Sequence, residues 1–477
     1  MSSIERGTFL LFVSNIVFFA CSFLLYLILG RFLLSPEQFG VFAVVISLVS
    51  IITTSMTVGI QQAVSKFIAA NEEDAFLIRK KMLFFQFCLG IVLFAIYFTL
   101  ADFMGFVLKD AGIVPFLRLS SLVLLFHPML CVINGVFNGL KKFPRLAFFG
   151  IFYNAFKLAA MILLVLAGFA VAGAVLGFVL ASLVTVLFGF FFSAVKKSKS
   201  GLDIRPLLFF ALPLVSSAFL LNLFQSLGLF AVKALSVSSI NVDVLAGNFS
   251  ISVTVASVPA ALLLSVSTVV LPLVAGALQK NDLKKTRVYI KESVRYSLLF
   301  LGFSTAILAA SSKQLIELIF SEKYSFAAEP MVLLSLAFVF FALFQLLSAI
   351  IAAADRSRLP LLFIAISVAL CWILNIFLVP LLSLQGAALS ALFSMLVGFL
   401  LSAAFVAKKF GSLISIKAFF RIILASAIVF LVLFLFPVSG LILIPFYAGL
   451  LGLYAIILFI SRELSQKDFA VFGNMVK

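Results

Sequence analysis

The sequence predicts an all-α polytopic membrane protein with about fourteen transmembrane helices, and three observations carry that expectation. Of 477 residues, 65% are hydrophobic and only 11% are charged, far from the soluble average. Apolar runs long enough to cross a bilayer core as helices recur from end to end. Between them lie short connections rich in Lys and Arg, as cytoplasmic loops are. Those loops explain the formal net charge of +17. No soluble basic domain is visible to hold nucleic acid, so no nucleic-acid partner is expected.

The first span, 9–29, follows Arg6. It is too long for a signal-peptide core and lacks a small-residue cleavage site, so it reads as retained. The stretch Gly30 to Gly40 then turns the chain. Ser35 is a ready N-cap, Pro36 suits the first helical position, and Glu37 suits the positive end of the helix dipole. Arg31 places a permanent cation at this boundary. Spans near 39–60, 82–103, 117–137, 146–168 and 171–195 complete a first set of six. After the polar linker 196–205 come spans near 207–232, 245–272, 296–310, 330–351, 359–382 and 386–406. A last pair, near 419–436 and 441–460, follows Lys408-Lys409. The expected division is an N-terminal six-helix lobe at 1–198, a C-terminal six-helix lobe at 199–410, and an extra helix pair with a cytoplasmic tail at 411–477.

Alternate connections differ sharply in charge. The N-terminus, the even-to-odd connections and the C-terminus hold 27 of the 34 Lys and Arg; Arg31, Lys109, Arg118, Lys233, Lys313 and Lys323 lie opposite, and Lys157 is inside a span. Both termini are therefore expected in the cytoplasm, with the protein in the cell membrane. The two sets of six read as one unit used twice, with a period near 213 residues: the run Cys131 to Arg145 answers Phe344 to Arg358, and Ala172-Gly173-Ala174 answers Gln385-Gly386-Ala387 as turns opening the sixth helix of each half. An even number of spans per repeat makes the lobes parallel, related by a pseudo-twofold along the membrane normal.

Helical periodicity marks the polar faces. Ser47, Ser50, Thr54, Thr57, Gln61 and Ser65 form one stripe on the second span. Asn15, Ser22 and Tyr26 share a face of the first, and Asn222, Ser226 and Lys233 one of the seventh, with Gln225 beside them; Asn248 and Ser252 share a face of the eighth, which carries Pro259 further on. Isolated Ser and Thr often only bridge packed helices, whereas Gln61, Asn222 and Gln225 in register with Lys233 read as a wet cavity. Lys157 falls near mid-membrane with Asn154 one turn away, a functional candidate by its cost alone, or else a snorkelling group paired with Asn154 and Tyr153. His127, just before Pro128, is either proton-sensitive or a packing residue at a proline kink. Arg31 and Lys233 end the first helix of each half, as lining cations or as anchors to lipid phosphate. Acidic residues are expected only at helix ends and loops, among them Asp102, Asp243, Glu317, Glu322, Glu329 and Asp355. With no carboxylate expected to be buried, the cavity suits an anion. Cys21, Cys88, Cys131 and Cys371 show no metal spacing and read as packing residues; no metal and no cofactor are expected.

Several motifs together carry a resemblance: Gly30-Arg31 through Ser35-Pro36-Glu37-Gln38-Phe39-Gly40, the turn at 134–143, Phe210-Ala-Leu-Pro213, Val270-Leu-Pro272, Ile319 to Tyr324, and Asn375 to Ala388 with Val379-Pro380. Over roughly the first 410 residues the chain resembles the polysaccharide biosynthesis or O-antigen flippase family, within the superfamily of multidrug, oligosaccharidyl-lipid and polysaccharide exporters. The resemblance implies two lobes that move a polyprenyl-linked oligosaccharide across the membrane by alternating access, rather than an enzyme. It implies lipid-linked oligosaccharide and membrane lipids as partners, and polysaccharide polymerase or glycosyltransferase machinery nearby. Arg31, Lys157 and Lys233 would be its lumen cations, with Asn15, Gln61, Asn222, Gln225 and Asn248 as polar contacts. One departure stands out: the family often has an Asp near the position of Lys233. Peptidoglycan-precursor flipping is the nearest alternative, and a cation-coupled multidrug antiporter, which would favour buried carboxylates, is more distant. A membrane glycosyltransferase would want acidic catalytic residues or a large outer loop.

Overall fold

The computed structural model describes residues 3–193, 203–354, 356, 358–411 and 413–464. The expected lobe boundary at 198/199, most of the linker at 196–205, Asp355 and the tail beyond 464 lie outside the described residues. The described residues are helical, with no strand among them. The chain forms two compact units, Met1–Ser250 and Ile251–Lys477.

The first unit contains α1 (Ser3–Ile28), α2 (Pro36–Ala70), α3 (Ala75–Val107), the short α4 (Val114–Ser121), α5 (Val123–Gly139), α6 (Phe143–Leu164), α7 (Ala170–Phe192), α8 (Arg205–Leu235) and the start of α9 (Val242–Ala256). The α1–α2 turn forms as its residue types require. Ser35 accepts from the Gln38 backbone N–H while the Gln38 side chain accepts from the Ser35 N–H, a complete capping box with Pro36 inside it. Arg31 sits on a π-helical turn, Leu29–Leu33, which prolongs α1 up to this cap. The segment expected as a turn at 134–143 is instead the last turns of α5, and the chain reverses at Leu140 to Lys142. Gly135 and Gly139, four apart, bring that helix onto Val64 and Ile68 of α2.

The second unit takes the rest of α9, then α10 (Val258–Gln279), α11 (Leu283–Ala310), α12 (Ser312–Phe320), α13 (Ala328–Ala353), α14 (Arg358–Phe410), α15 (Ile416–Leu435) and α16 (Leu443–Ile460). The eighth expected span is not one straight helix: the chain bends by 43° between Ala256 and Val258, where Pro259 denies the preceding turn an N–H donor. The ninth begins at Leu283, well before the expected 296, because its first turns are a charged amphipathic extension. The last pair, α15 and α16, shares an apolar core with α11 built around Leu299, Ile422, Val429 and Tyr454.

Among the described residues, eleven helical segments are long and apolar enough to cross a membrane, or up to twelve if the bent pair is one span. Two of them, Phe143–Phe192 and Arg358–Phe410, run to 50 and 53 residues. As straight rods they would reach about 75–80 Å, more than twice the roughly 30 Å of a bilayer core. Both fold back as hairpins. A Cβ at Gly177 would meet the Met161 backbone, and one at Gly386 the Leu378 carbonyl. The expected fourteen counts hairpin arms separately, so the tally of segments is lower. The turns expected at Ala172 to Ala174 and at Gln385 to Ala387 lie inside helix; the breaks come two residues earlier, at Ala170 (φ 44°, ψ −126°) and Ser383 (φ 48°, ψ −120°). These two residues, 213 apart, share one strained backbone conformation, which is the period the sequence led us to expect.

Large apolar side chains stand on the surface, with Phe84, Phe106, Phe191 and Leu381 more than two-thirds exposed. In water such faces would aggregate; facing lipid, they need no cover. The protein is multi-pass and membrane-embedded.

Candidate functional site

Within the first unit, α2 and α8 lie against each other over a long seam. At one end Phe67 packs edge-on to Phe210, whose ring also carries the Lys66 ammonium at 3.7 Å. Further along, a Cβ at Gly59 would collide with Val215. At the far end the α2 backbone meets the start of α9: a Cβ at Gly40 would lie 1.9 Å from the Asp243 carbonyl, and one at Gly247 2.5 Å from that of Pro36. Only two glycines facing each other permit so close an approach.

This end also gathers charge. Lys233, in the last turn of α8, is buried, and its ammonium donates to Asp110 at 2.7 Å and to Asp243. Asp110 uses its other carboxylate oxygen to accept from Gly112 N–H at 2.8 Å, which fixes the α3–α4 turn. Asn241 accepts from Asp243 N–H at 2.9 Å and donates to Glu37 at 2.8 Å. One network thus ties the N-terminus of α2, the α3–α4 turn and the α8–α9 connection. Beside it opens a cleft of about 440 Å³ lined by Ser35, Glu37, Asp110, Phe116, Phe169 and Asp243.

The expectation of no buried carboxylate needs correction. Glu463 is 7% exposed, held by Arg295 at 2.8 Å and Arg421 at 3.4 Å, and Asp110 and Asp243 keep only about a fifth of their side-chain surface. Asp110 was missed by sequence reasoning, although Asp-Ala-Gly after a helix end signals a side chain turned back on its own backbone. Lys233 is thereby matched by two carboxylates, where the sequence suggested a cation without the usual acidic partner.

Deeper in the same unit is a second polar group. His127 on α5 lies between Thr57 Oγ1 (3.2 Å from Nε2) and the Tyr153 hydroxyl (3.4 Å from Nδ1). Thr57 also reaches Cys131 Sγ at 3.4 Å. The Lys157 ammonium, half-buried, lies 5.5 Å from the Tyr153 ring centre and 5.6 Å from that of Phe178. Aromatic faces attract it, and among the described residues no carboxylate pairs with it. Thr57 and Gln61 belong to the polar stripe of α2; none of its six members is buried, while Val45, Val49, Ile60 and Val64 of the same helix are.

The remaining residues singled out in the sequence scatter. Arg31 is half-buried beside the Phe32 ring. Asn15 is exposed, whereas Ser14 next to it donates to the Ala147 carbonyl. Tyr26 does not extend a polar face; its ring packs against Phe39 and Phe42. Asn222 and Gln225 are half-buried and turn their amides back to Ala218 and Leu221 carbonyls of their own helix. Asn248 is buried and does the same toward Val244. The structure therefore brings His127, Lys157 and the α2 stripe together, and sets Lys233 apart in its ion-pair network.

Such a chain of apolar spans with cations inside them is a membrane protein of a definite family: residues 28–329 match the polysaccharide biosynthesis proteins. The chain belongs to that family. Its fold is similar to that of the lipid II flippase MurJ in an inward closed conformation, with a TM-score of 0.76 and 15% identity over 99% of this chain and 100% of that one. It is also similar to multidrug resistance MATE transporters, inward-facing (TM-score 0.67, 15% identity, 81% of this chain and 94% of that one) and outward-facing (TM-score 0.63, 15% identity, 86% and 96%). No curated protein matches the sequence.

Proposed function

We propose that this protein flips a polyprenyl-phosphate- or pyrophosphate-linked oligosaccharide from the cytoplasmic to the outer leaflet by alternating access, in the assembly of a cell-surface glycan. The observation that carries this reading is Lys157, an ammonium deep in a span with aromatic faces but, among the described residues, no carboxylate paired with it, in a chain of the polysaccharide biosynthesis family. Such a charge is costly unless water or an anion meets it. The head group's phosphate fills that role, the α2 stripe replaces water around the sugars, and the isoprenoid tail stays in lipid. The work is translocation, and no covalent bond is made or broken.

In this reading 1–198 and 199–410 are the moving lobes, and 411–477 is an accessory pair with its tail. The plasma membrane holds the protein with both termini in the cytoplasm, so that the Ser35 end faces outward. Arg31, Lys157, Gln61, Asn222, Gln225, Asn248 and Asn15 line the path at successive depths. Lys233 acts differently: paired with Asp110 and Asp243, it holds the outer end shut until the lobes part. Bound head group shifts the balance only by its difference in affinity between the two states. Polymerase or glycosyltransferase machinery would hand over and receive the substrate.

The likeness to the lipid II flippase over nearly the whole chain favours one second reading, a peptidoglycan precursor as cargo, which differs only in the sugar. Reconstitution in liposomes tests both. A fluorescent lipid-pyrophosphate oligosaccharide and a lipid-linked muropeptide precursor are scored for accessibility from the opposite leaflet. Transport of the former by wild type, lost in folded Lys157→Ala and Arg31→Ala, is the expected result. Transport of the muropeptide alone replaces the cargo, and ion-dependent expulsion of organic cations with neither lipid moved overturns the flippase reading.

A further inference from the structure

The centre of the first unit holds more buried polar atoms than its hydrogen bonds satisfy. Gln86 on α3 is completely buried, and neither its carbonyl oxygen nor its amide nitrogen meets a partner among the described residues. Thr185 on α7, 2% exposed, leaves its hydroxyl unpaired, and Asn154 on α6, 5% exposed, leaves its carbonyl oxygen unpaired while its amide donates to Gly150. Ser182, one turn before Thr185 and completely buried, likewise leaves its hydroxyl unpaired. Most buried polar side chains have a partner, and these exceptions on neighbouring helices want a common cause.

Helix register puts them at one level. On the α6–α7 hairpin, position 177 lies against Met161 and 189 against Phe149, so Asn154 falls opposite Thr185. Position 189 also meets Ile133 of α5; running α5 and α7 in parallel from there sets Thr185 beside Pro128 and Met129. Position 90 of α3 meets the carbonyls of Leu124 and Leu125, and one turn back Gln86 reaches the same height on α5. That height is also where Pro128 lies inside α5 and offers no N–H to the Leu124 carbonyl. His127, hydrogen-bonded to Thr57 and Tyr153, adjoins this level, and Lys157 is one turn beyond Asn154.

We infer that the middle of the first unit encloses a hydration site, in which a few ordered waters bridge Gln86, Asn154 and Thr185 and extend toward the Lys157 ammonium. Neutral groups with both donors and acceptors suit water, which typically makes about three hydrogen bonds to buried polar atoms. A metal cation is disfavoured there by the ammonium itself. The site gives Lys157 an internal solvent in the intervals when no substrate phosphate is bound.

Radiolytic hydroxyl-radical footprinting of the full-length wild-type protein in nanodiscs tests this without mutation, because ionised bound water labels whatever it touches. Met82 and Cys131, both 1% exposed or less, flank the level and are the reporters; Met331, equally buried in the second unit, is the reference. Labelling of Met82 and Cys131 at least about tenfold faster than of Met331 is expected, and equal slow labelling of all three overturns the site. Gln86→Leu and Thr185→Val give a second readout of opposite sign for the two cases. If waters bind there, each lowers the melting temperature by about 2–4 °C; if the atoms are dry orphans, apolar replacement raises it, and a rise overturns the proposal.

Discussion

The Lys233 ammonium lies 2.7 Å from the Asp110 carboxylate across 123 residues of chain, joining the last turn of α8 to the α3–α4 turn. With Asp243 as second acceptor, the cation is buried and fully matched. Removing one member of such a group costs far more than removing all of them, because the remaining charges stay buried without compensation. Lys233→Met is therefore expected to destabilise the protein by about 3 kcal/mol. The triple variant Lys233→Met, Asp110→Asn, Asp243→Asn recovers most of that loss. Melting temperatures of the purified variants check both.

Gly40 makes a steric prediction. Its Cβ position is already occupied by the Asp243 carbonyl, so Gly40→Val forces α2 and the start of α9 apart. Ser35→Cys, on the adjoining cleft, is expected to react faster with a membrane-impermeant maleimide in the Gly40→Val background. Gly276→Ala, where nothing lies within 4 Å of the new methyl, leaves the rate unchanged.

Lys157 separates charge from shape. Lys157→Arg keeps a cation near the Tyr153 and Phe178 rings, while Lys157→Met keeps only the length. Transport of the lipid-linked oligosaccharide is expected to fall at least about tenfold in Lys157→Met, the equivalent of about 1.4 kcal/mol. Lys157→Arg retains a measurable part. Initial rates in liposomes at matched protein content decide it.

Glu463 binds the accessory pair to its unit. Its carboxylate meets Arg295 of α11 and Arg421 of α15, while the Tyr454 hydroxyl donates to the Leu299 carbonyl at 3.0 Å. Glu463→Gln weakens the polar end of this contact by about 1–3 kcal/mol. Limited trypsin cleavage between Lys408 and Lys417 is expected to speed up, with the apolar core around Val429 holding the pair in place.

The class of protein was legible in composition alone, because a bilayer demands long apolar runs whatever their partners. The Ser35-Pro36 cap and the polar stripe of α2 are equally local, depending on neighbours one to four positions away, and the period of 213 residues needs only that the chain be compared with itself. Charge partners are not local. Lys233 finds Asp110 123 residues away and Asp243 across the α8–α9 connection, and the arginines that hold Glu463 come from α11 and α15. Tyr26 shares a helical face with Asn15 and Ser22, yet its ring is claimed by Phe39 and Phe42. Helical periodicity tells which side chains share a face, but only packing tells what that face meets. Sequence by itself determined that the chain is a helical membrane protein with cations inside its spans. Tertiary structure decided which cation is neutralised and which is left to aromatic faces, because the energy of a buried charge depends on groups brought together by folding rather than by adjacency.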